Sequence, residues 1–366
     1  MAAFSGGSQT WQVRTGIRVV QTNLCGDKTQ RTWLPSTRGA TTLCPRQQKE
    51  PQVSQPYLLD LIERLSSGLQ KLDGDRRQKH IDFVLTFQTE DGGFTGREGD
   101  SDIYYTSFAV RTLALLGALD EQTASNIACF LKTYQHEKLS VVDLVSWLYS
   151  AVAVQAAGGG DLLSEDFDRF ADGVTQQLET TRLPDGGYAR STEGASGSTY
   201  HSFMVALTYE LLGRELPRPN ALVQFIYDRQ REDGGFVEIG PMRRSGTNPT
   251  AAAIVLLNMF GHMDGEVRSD VVAFLNEVKS SEGGFQANTR IPFADGLSTF
   301  TGLLTATDIG TDPVLDLNKA YRYTTECIEM PTGGFKAASW DETADVEYTF
   351  YGLGLLALLN SRIQTD

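Results

Sequence analysis

Cysteine is scarce and scattered. Cys25, Cys44, Cys129 and Cys327 form no C-x-x-C pair and no paired spacing, which excludes a disulfide frame and a thiolate metal cluster. Reduced thiols of this kind point to a cytoplasmic setting. Long apolar runs are missing too: no stretch approaches the ~18 residues a membrane span needs, and residues 1–20 lack the continuous apolar segment of a secretion signal. A protein with no membrane span is expected. Basic residues are in short supply over most of the chain. Residues 1–49 hold seven Lys/Arg and one Asp, so the chain's net charge of −14 leaves about −20 on residues 50–366. An acidic body of that size argues against a nucleic-acid partner.

Residues 1–54 are rich in Ser, Thr, Gln, Gly and Arg and poor in acids. They read as a disordered or targeting-like N-terminal extension. Residues 55–366 read as one domain, because one repeat array runs through them and 40% hydrophobic composition suffices for a large core.

The repeat is a Gly-Gly-aromatic turn preceded by one turn residue. It begins at Asp91, Asp185, Asp233, Glu282 and Thr332, with gaps of 94, 48, 49 and 50. The first gap is double the others, so a sixth, degenerate copy is expected near position 138, where the chain reads Gln135-His136-Glu137-Lys138-Leu139-Ser140. Helix-compatible stretches precede the turns, as in Arg77 to Gln88, Leu222 to Gln230 and Asp270 to Val278. More apolar stretches follow them: Ser107 to Leu116, Phe203 to Leu212, Ala251 to Phe260, Phe300 to Thr307 and Thr349 to Leu359, several ending in a C-cap glycine. Polar helices alternating with apolar ones imply an outer and an inner ring. Helix pairs repeating at this length bury their apolar faces only against neighbours, and six pairs can close. The expected fold is therefore an all-α (α/α)6 toroid. The two glycines allow φ > 0 where the chain reverses, and the aromatic pins the turn to the core.

Inner helices that all start at one end of a ring aim their free N–H groups and positive dipole ends at one mouth, which suits an anion such as phosphate. The cavity behind that mouth is expected to be apolar and deep. An anionic head with an apolar tail describes a prenyl diphosphate.

The turns Gln88 to Phe94 and Gln230 to Phe236, and the stretch Ser107-Phe108-Ala109-Val110-Arg111-Thr112-Leu113-Ala114-Leu115-Leu116-Gly117-Ala118-Leu119-Asp120, resemble the protein prenyltransferase β subunits. The second stretch looks particularly like the geranylgeranyl transferase type II β subunit. More distantly, the turns resemble those of triterpene cyclases. The resemblance covers about residues 75–360 and implies a zinc ion held by an Asp, a Cys two residues later and a His at the next inner-helix start. Asp295 matches the Asp; Leu297 and Tyr348 stand at the Cys and His positions. It also implies a diphosphate clamp, for which this chain offers Arg243, Arg244 and Arg290, with Ser298 at the position of the family's Tyr. An α-type helical subunit is the partner the resemblance implies.

The same register holds Asp102, His201, Asp345 and Glu347. Together with Asp295 these would ring one mouth, a set able to serve general-acid chemistry or a hard metal. Asp345-x-Glu347-Tyr348-Thr349 is similar in outline to the Asp-x-Asp-Asp-Thr motif with which class II terpene cyclases protonate substrate; Glu347 is then the nearest counterpart of the donating acid. These cyclases usually carry a second barrel domain. Structural roles compete with the functional ones: Asp102 and Asp345 as helix N-caps, His201 as a satisfied interior histidine, and the arginines as solvated loop cations. Three functions follow as expectations. The first is a prenyltransferase β-subunit-like protein binding a polyprenyl diphosphate; the second is a non-catalytic toroid binding an isoprenoid or a protein; the third is a single-domain terpene cyclase.

Overall fold

A computed structural model describes residues 56–134, 139–163, 166–311 and 314–362. The N-terminal extension and the Gln135–Lys138 part of the degenerate turn lie outside the described residues. Helix α1 (Tyr57–Leu69) comes first. Six pairs follow: α2 (Gly74–Leu85) and α3 (Ile103–Leu115); α4 (Glu121–Lys132) and α5 (Val141–Ala156); α6 (Phe167–Glu179) and α7 (Thr199–Leu211); α8 (Pro219–Tyr227) and α9 (Thr247–Met259); α10 (Gly265–Glu277) and α11 (Gly296–Asp308); α12 (Leu317–Arg322) and α13 (Val346–Asn360). The segment Tyr323–Ile328 continues α12 as a π turn. Two two-residue strands, Phe335–Lys336 and Ala344–Asp345, pair antiparallel before α13.

The inner helices α3, α5, α7, α9, α11 and α13 pack each on the next, and α13 packs back on α3. The expected toroid is therefore closed. Inner helices are apolar nearly all round, as helices buried on most sides must be; on α13, Val346, Thr349, Phe350 and every residue from Gly352 to Leu359 are buried.

Side chains start five of the six inner helices. Asp102, Ser140, Ser198, Asp295 and Asp345 each accept a hydrogen bond from the N–H three residues on, and Gly246 begins α9 without one. Inner helices begin three or four residues before the apolar stretches in the sequence. Their first turn faces the mouth, so its polar and aromatic residues hide the helical period.

A second device recurs five times. The N–H of the turn aromatic donates to a Thr or Ser one turn into the following inner helix: Phe94 to Thr106, Tyr188 to Ser202, Phe236 to Thr250, Phe285 to Thr299 and Phe335 to Thr349, at 2.9–3.1 Å. Each bond satisfies a buried donor that the reversal of the chain leaves over.

The turn glycines do two different jobs. In the first turn only Gly92 has positive φ (90°), and a Cβ there would sit 2.0 Å from Asn126 O on the next outer helix. Gly93 is glycine because Phe130 leaves no room for a side chain. In the last turn both Gly333 and Gly334 have positive φ, and a Cβ on Gly333 would meet Lys79 O of α2 at 2.2 Å. Each of the five Gly-Gly turns thus backs on the outer helix of the following repeat, the last turn on that of the first.

Helix α1 lies across the C-terminal ends of the inner helices. Tyr57 N–H donates to Glu210 at the end of α7 (2.9 Å), and its hydroxyl donates to Asp308 at the end of α11 (2.9 Å). Gly68 packs on Ala357 of α13. The ring is closed at that base and carries its helix N-termini at the opposite mouth.

Candidate functional site

On each of several inner helices a few positions stay accessible while their neighbours are buried. They include Tyr104 and Arg111 on α3, Tyr149 on α5, Tyr200 and Phe203 on α7, Thr301 on α11, and Glu347 and Tyr351 on α13. Spacings of three, four and seven put them on one helix face, and that face looks at the ring axis. Electrostatics agree: the Tyr351 phenol is raised by burial and then by Glu347, Tyr104 and Tyr200. Tyr200 sits on α7, which is adjacent to neither α3 nor α13 in the ring, so these groups feel one another across a lumen.

The lumen wall is aromatic. Phe108 lies 5.6 Å from Phe350 and 5.5 Å from Tyr351, and Phe300 lies 6.1 and 5.7 Å from the same two rings.

Glu347 lies in the first turn of α13, at the mouth end of this lumen, and accepts a hydrogen bond from Tyr104 Oη at 2.8 Å. Burial raises its pKa, with Asp345 adding to the rise, while the Tyr104 hydrogen bond and Arg97 oppose it. Asp345 is buried, caps α13 through Tyr348 N–H (2.8 Å), and accepts from Arg97 Nε at 2.8 Å. Of the sequence-derived acids, Asp345 and Glu347 thus share one site with Tyr104. Asp102 and Asp295 act as caps, on Tyr105 N–H (2.8 Å) and Ser298 N–H (2.7 Å), and burial raises both. The capping role expected of Asp102 and Asp345 is observed; for Asp345 it coexists with the ion pair. His201 Nδ1 lies 2.7 Å from Ser198 Oγ, and burial, helped by Arg190, lowers its pKa.

The arginines of the expected clamp are exposed in two neighbouring loops. Arg244 Nη1 donates to Thr289 at 2.9 Å, which ties its loop to the one carrying Arg290, whose backbone N–H is held by Asn288. Arg243 is exposed beside them. Among the described residues no hydrogen bond or ion pair joins these three side chains to Asp102, Asp295, Asp345 or Glu347.

The residues at the expected zinc position do not fit the metal. Asp295 spends one carboxylate oxygen on the helix cap, Leu297 has no donor atom, and the Tyr348 phenol is pushed up to about 12 by burial and then by Glu347, so it stays protonated. A structural or catalytic zinc needs three or four deprotonated N, O or S donors. Among the described residues no group of three or more His, Cys, Asp or Glu is placed to hold a metal ion.

Sequence reasoning missed Arg97 and Arg111. Arg97 left no signal, because its partners Asp341 and Asp345 lie about 245 residues away. Arg111 did leave one: it is a charge inside an apolar helix, seven residues after Tyr104 and therefore on its face.

The prenyltransferase alpha-alpha toroid domain model matches residues 54–200 and 144–361. The chain belongs to this family. Solved structures share the toroid at low identity. Candida albicans protein geranylgeranyltransferase-I, complexed with GGPP, is 17% identical with a TM-score of 0.61, covering 78% of this chain and 92% of that one. The type II terpene cyclase MstE from Scytonema, in a variant bound to geranylgeranyl dihydroxybenzoate, is 15% identical with a TM-score of 0.57, covering 83% of this chain and 100% of that one. The second barrel expected of cyclases is thus no part of that chain. An alpha-1,6-mannanase from a Salegentibacter species matches at 13% identity and a TM-score of 0.53, over 78% of this chain and 98% of that one. At such identities the likeness is one of fold. No curated protein matches the chain. Among the described residues no helix is long and apolar enough to cross a membrane.

Proposed function

We propose that this toroid holds a polyprenyl chain in its lumen and acts on it as a general acid through Glu347. The observation that carries the reading is a carboxyl group buried in an aromatic cavity, held by Tyr104 Oη and with its pKa raised by burial. A carboxylic acid whose protonated form is favoured by burial can donate that proton to an alkene. In that step the π electrons of the terminal double bond form a C–H bond with the Glu347 proton. A tertiary cation is left on the substrate and a carboxylate on Glu347, which Tyr104 stabilises. The rings of Phe108, Phe300, Phe350 and Tyr351 present their faces and edges to that cation. The next alkene closes the ring, and loss of a proton ends the sequence.

The absent Cys and His donors at Leu297 and Tyr348 favour this zinc-independent chemistry over thiolate prenyl transfer. Incubation with squalene, geranylgeraniol and geranylgeranyl diphosphate, followed by mass analysis, tests it. Cyclised product, a hydrocarbon from squalene and the ring-closed alcohol or diphosphate from the other two, is expected from wild type and at least ~100-fold less from Glu347→Gln. Binding of these compounds without any turnover would leave a non-catalytic isoprenoid carrier instead.

A second reading, a prenyltransferase-like protein with a helical α-type partner, rests on Arg243, Arg244 and Arg290 in adjacent loops. Arginine binds phosphate in a bidentate manner. Calorimetry with geranylgeranyl diphosphate should then show affinity that is lost when all three become Ala, with Glu347→Gln binding as wild type.

A further inference from the structure

Among the described residues, the lumen holds a cation, Arg111, that no carboxylate pairs with. Arg111 is nine residues past the cap of α3, about 13 Å below the mouth at 1.5 Å per residue. Its guanidinium carbon lies 4.7 Å from the Tyr149 ring centroid, 5.2 Å from Phe108 and 5.9 Å from Phe350. Among the described residues it donates no hydrogen bond and pairs with no carboxylate. The side chain is partly accessible, and its helix neighbours Ala109, Val110, Thr112 and Leu113 are buried, so its free N–H groups point into the lumen.

The hydroxyls around it are also free. Tyr149, Tyr200 and Tyr351 come from α5, α7 and α13, and among the described residues none of their Oη atoms makes a hydrogen bond. Burial raises all three phenols, and Arg111 counters part of each rise, which places the guanidinium within electrostatic reach of the three. Protonated phenols are donors. Of the carboxylates these groups feel, Glu347 accepts from Tyr104 Oη and Glu238 accepts from Ser198 Oγ. Donors outnumber acceptors on this stretch of the wall, and a partly buried arginine without an acceptor leaves an interaction unmade.

We infer that Arg111, with Tyr149, Tyr200 and Tyr351, forms an oxyanion-reading site inside the lumen, so that the ligand is an amphiphile whose carboxylate or phosphate enters the ring rather than resting at its mouth. This deepens the isoprenoid reading and rests on it. The aromatic sides of the site add selectivity: Phe108, Tyr149 and Phe350 exclude water from the ion pair, which strengthens it.

The test compares three C20 probes that differ only at the head: geranylgeranoic acid, geranylgeranyl monophosphate and geranylgeraniol. Affinities are measured by calorimetry on the full chain as wild type, Arg111→Met, Arg111→Lys and Tyr149→Phe. Wild type should bind the acid or the phosphate about 10- to 100-fold more tightly than the alcohol. The preferred head identifies the oxyanion. Arg111→Met should reduce that preference to within about 3-fold and leave alcohol binding in place, while Arg111→Lys should keep part of it and Tyr149→Phe should weaken it. Unchanged alcohol binding in the Met variant, and preference retained by the Lys variant, separate recognition from misfolding. If wild type binds all three equally, or if Arg111→Met keeps the preference, the oxyanion site is refuted while the isoprenoid reading stands. If none of the three binds, both fail.

Discussion

Arg97 Nε donates to Asp345 Oδ2 at 2.8 Å, and its Nη2 donates to Asp341 at 2.6 Å, so one side chain from the first turn clips the loop that launches the last inner helix. The contact closes the ring between repeats one and six, beside the packing of Gly333 on Lys79. It also sets the charge around Glu347, since Arg97 offsets part of the repulsion from Asp345.

Arg97→Ala should therefore destabilise the ring by about 1–3 kcal/mol, because Asp345 is buried and loses the one cation paired with it among the described residues, while the partial exposure of Arg97 moderates the cost. Urea denaturation measures this. Arg214→Ala, which breaks an exposed pair with Asp168 and Asp172, should leave the midpoint where it is.

Thr349 Oγ1 accepts from Phe335 N–H at 3.1 Å and donates to Asp345 O. Thr349→Val keeps the shape but strands a buried donor, so a loss of about 1–3 kcal/mol is expected. Thr349→Ser should recover most of it. Equal midpoints for Val and wild type would mean that the recurring bond contributes nothing net.

How far the sequence reveals this molecule depends on the range of each interaction. The turn at Asp91 and the cap glycine Gly117 follow from local steric rules, so the ring and its number of units could be read directly. The register of the inner-helix starts was legible in kind, with Asp102, Asp295 and Asp345 all at the expected position. The first turn of each inner helix was not, because Tyr104 and Tyr105 face the mouth and interrupt the apolar period. Helix α1 was invisible as a plug: its partners Glu210 and Asp308 are local only in space. Function was least legible, because Arg243, Arg244 and Arg290 look like a clamp from residue type alone, whereas Arg111 acquires meaning only once Tyr149 and Tyr351 stand around it.

Asp308 accepts from Tyr57 Oη and Arg64 Nη1, both at 2.9 Å, and is buried beneath α1. Replacing it with Ala takes the acceptor from Tyr57 Oη and leaves Arg64 only the exposed Asp60, and should cost about 1–3 kcal/mol. The loss should be local first. Hydrogen exchange ought to quicken over Tyr57–Leu69 while α9 keeps its protection; uniform loss across both would mean that α1 is not a separable plug.

The pH dependence separates Glu347 from Glu329. Burial raises Glu347, so its protonated form is favoured in the folded state. Its contribution is full below the unfolded value of about 4.3 and is lost as pH rises through the folded pKa. Melting of Glu347→Gln, which is neutral at every pH, should thus gain on wild type as pH rises from about 4 and then level off above the folded pKa. Glu329 behaves oppositely. Burial alone would raise it, but the hydrogen bonds of His80 and Arg76 outweigh that and lower it. Its contribution is present above the unfolded value and lost as pH falls through the folded one, so Glu329→Gln should be weaker than wild type at neutral pH and approach it in acid. Turnover, if Glu347 is the proton donor, must fall over the same interval in which its stabilising protonated form disappears. A rate that stays flat while the melting curves of wild type and Glu347→Gln diverge would assign the proton to another group.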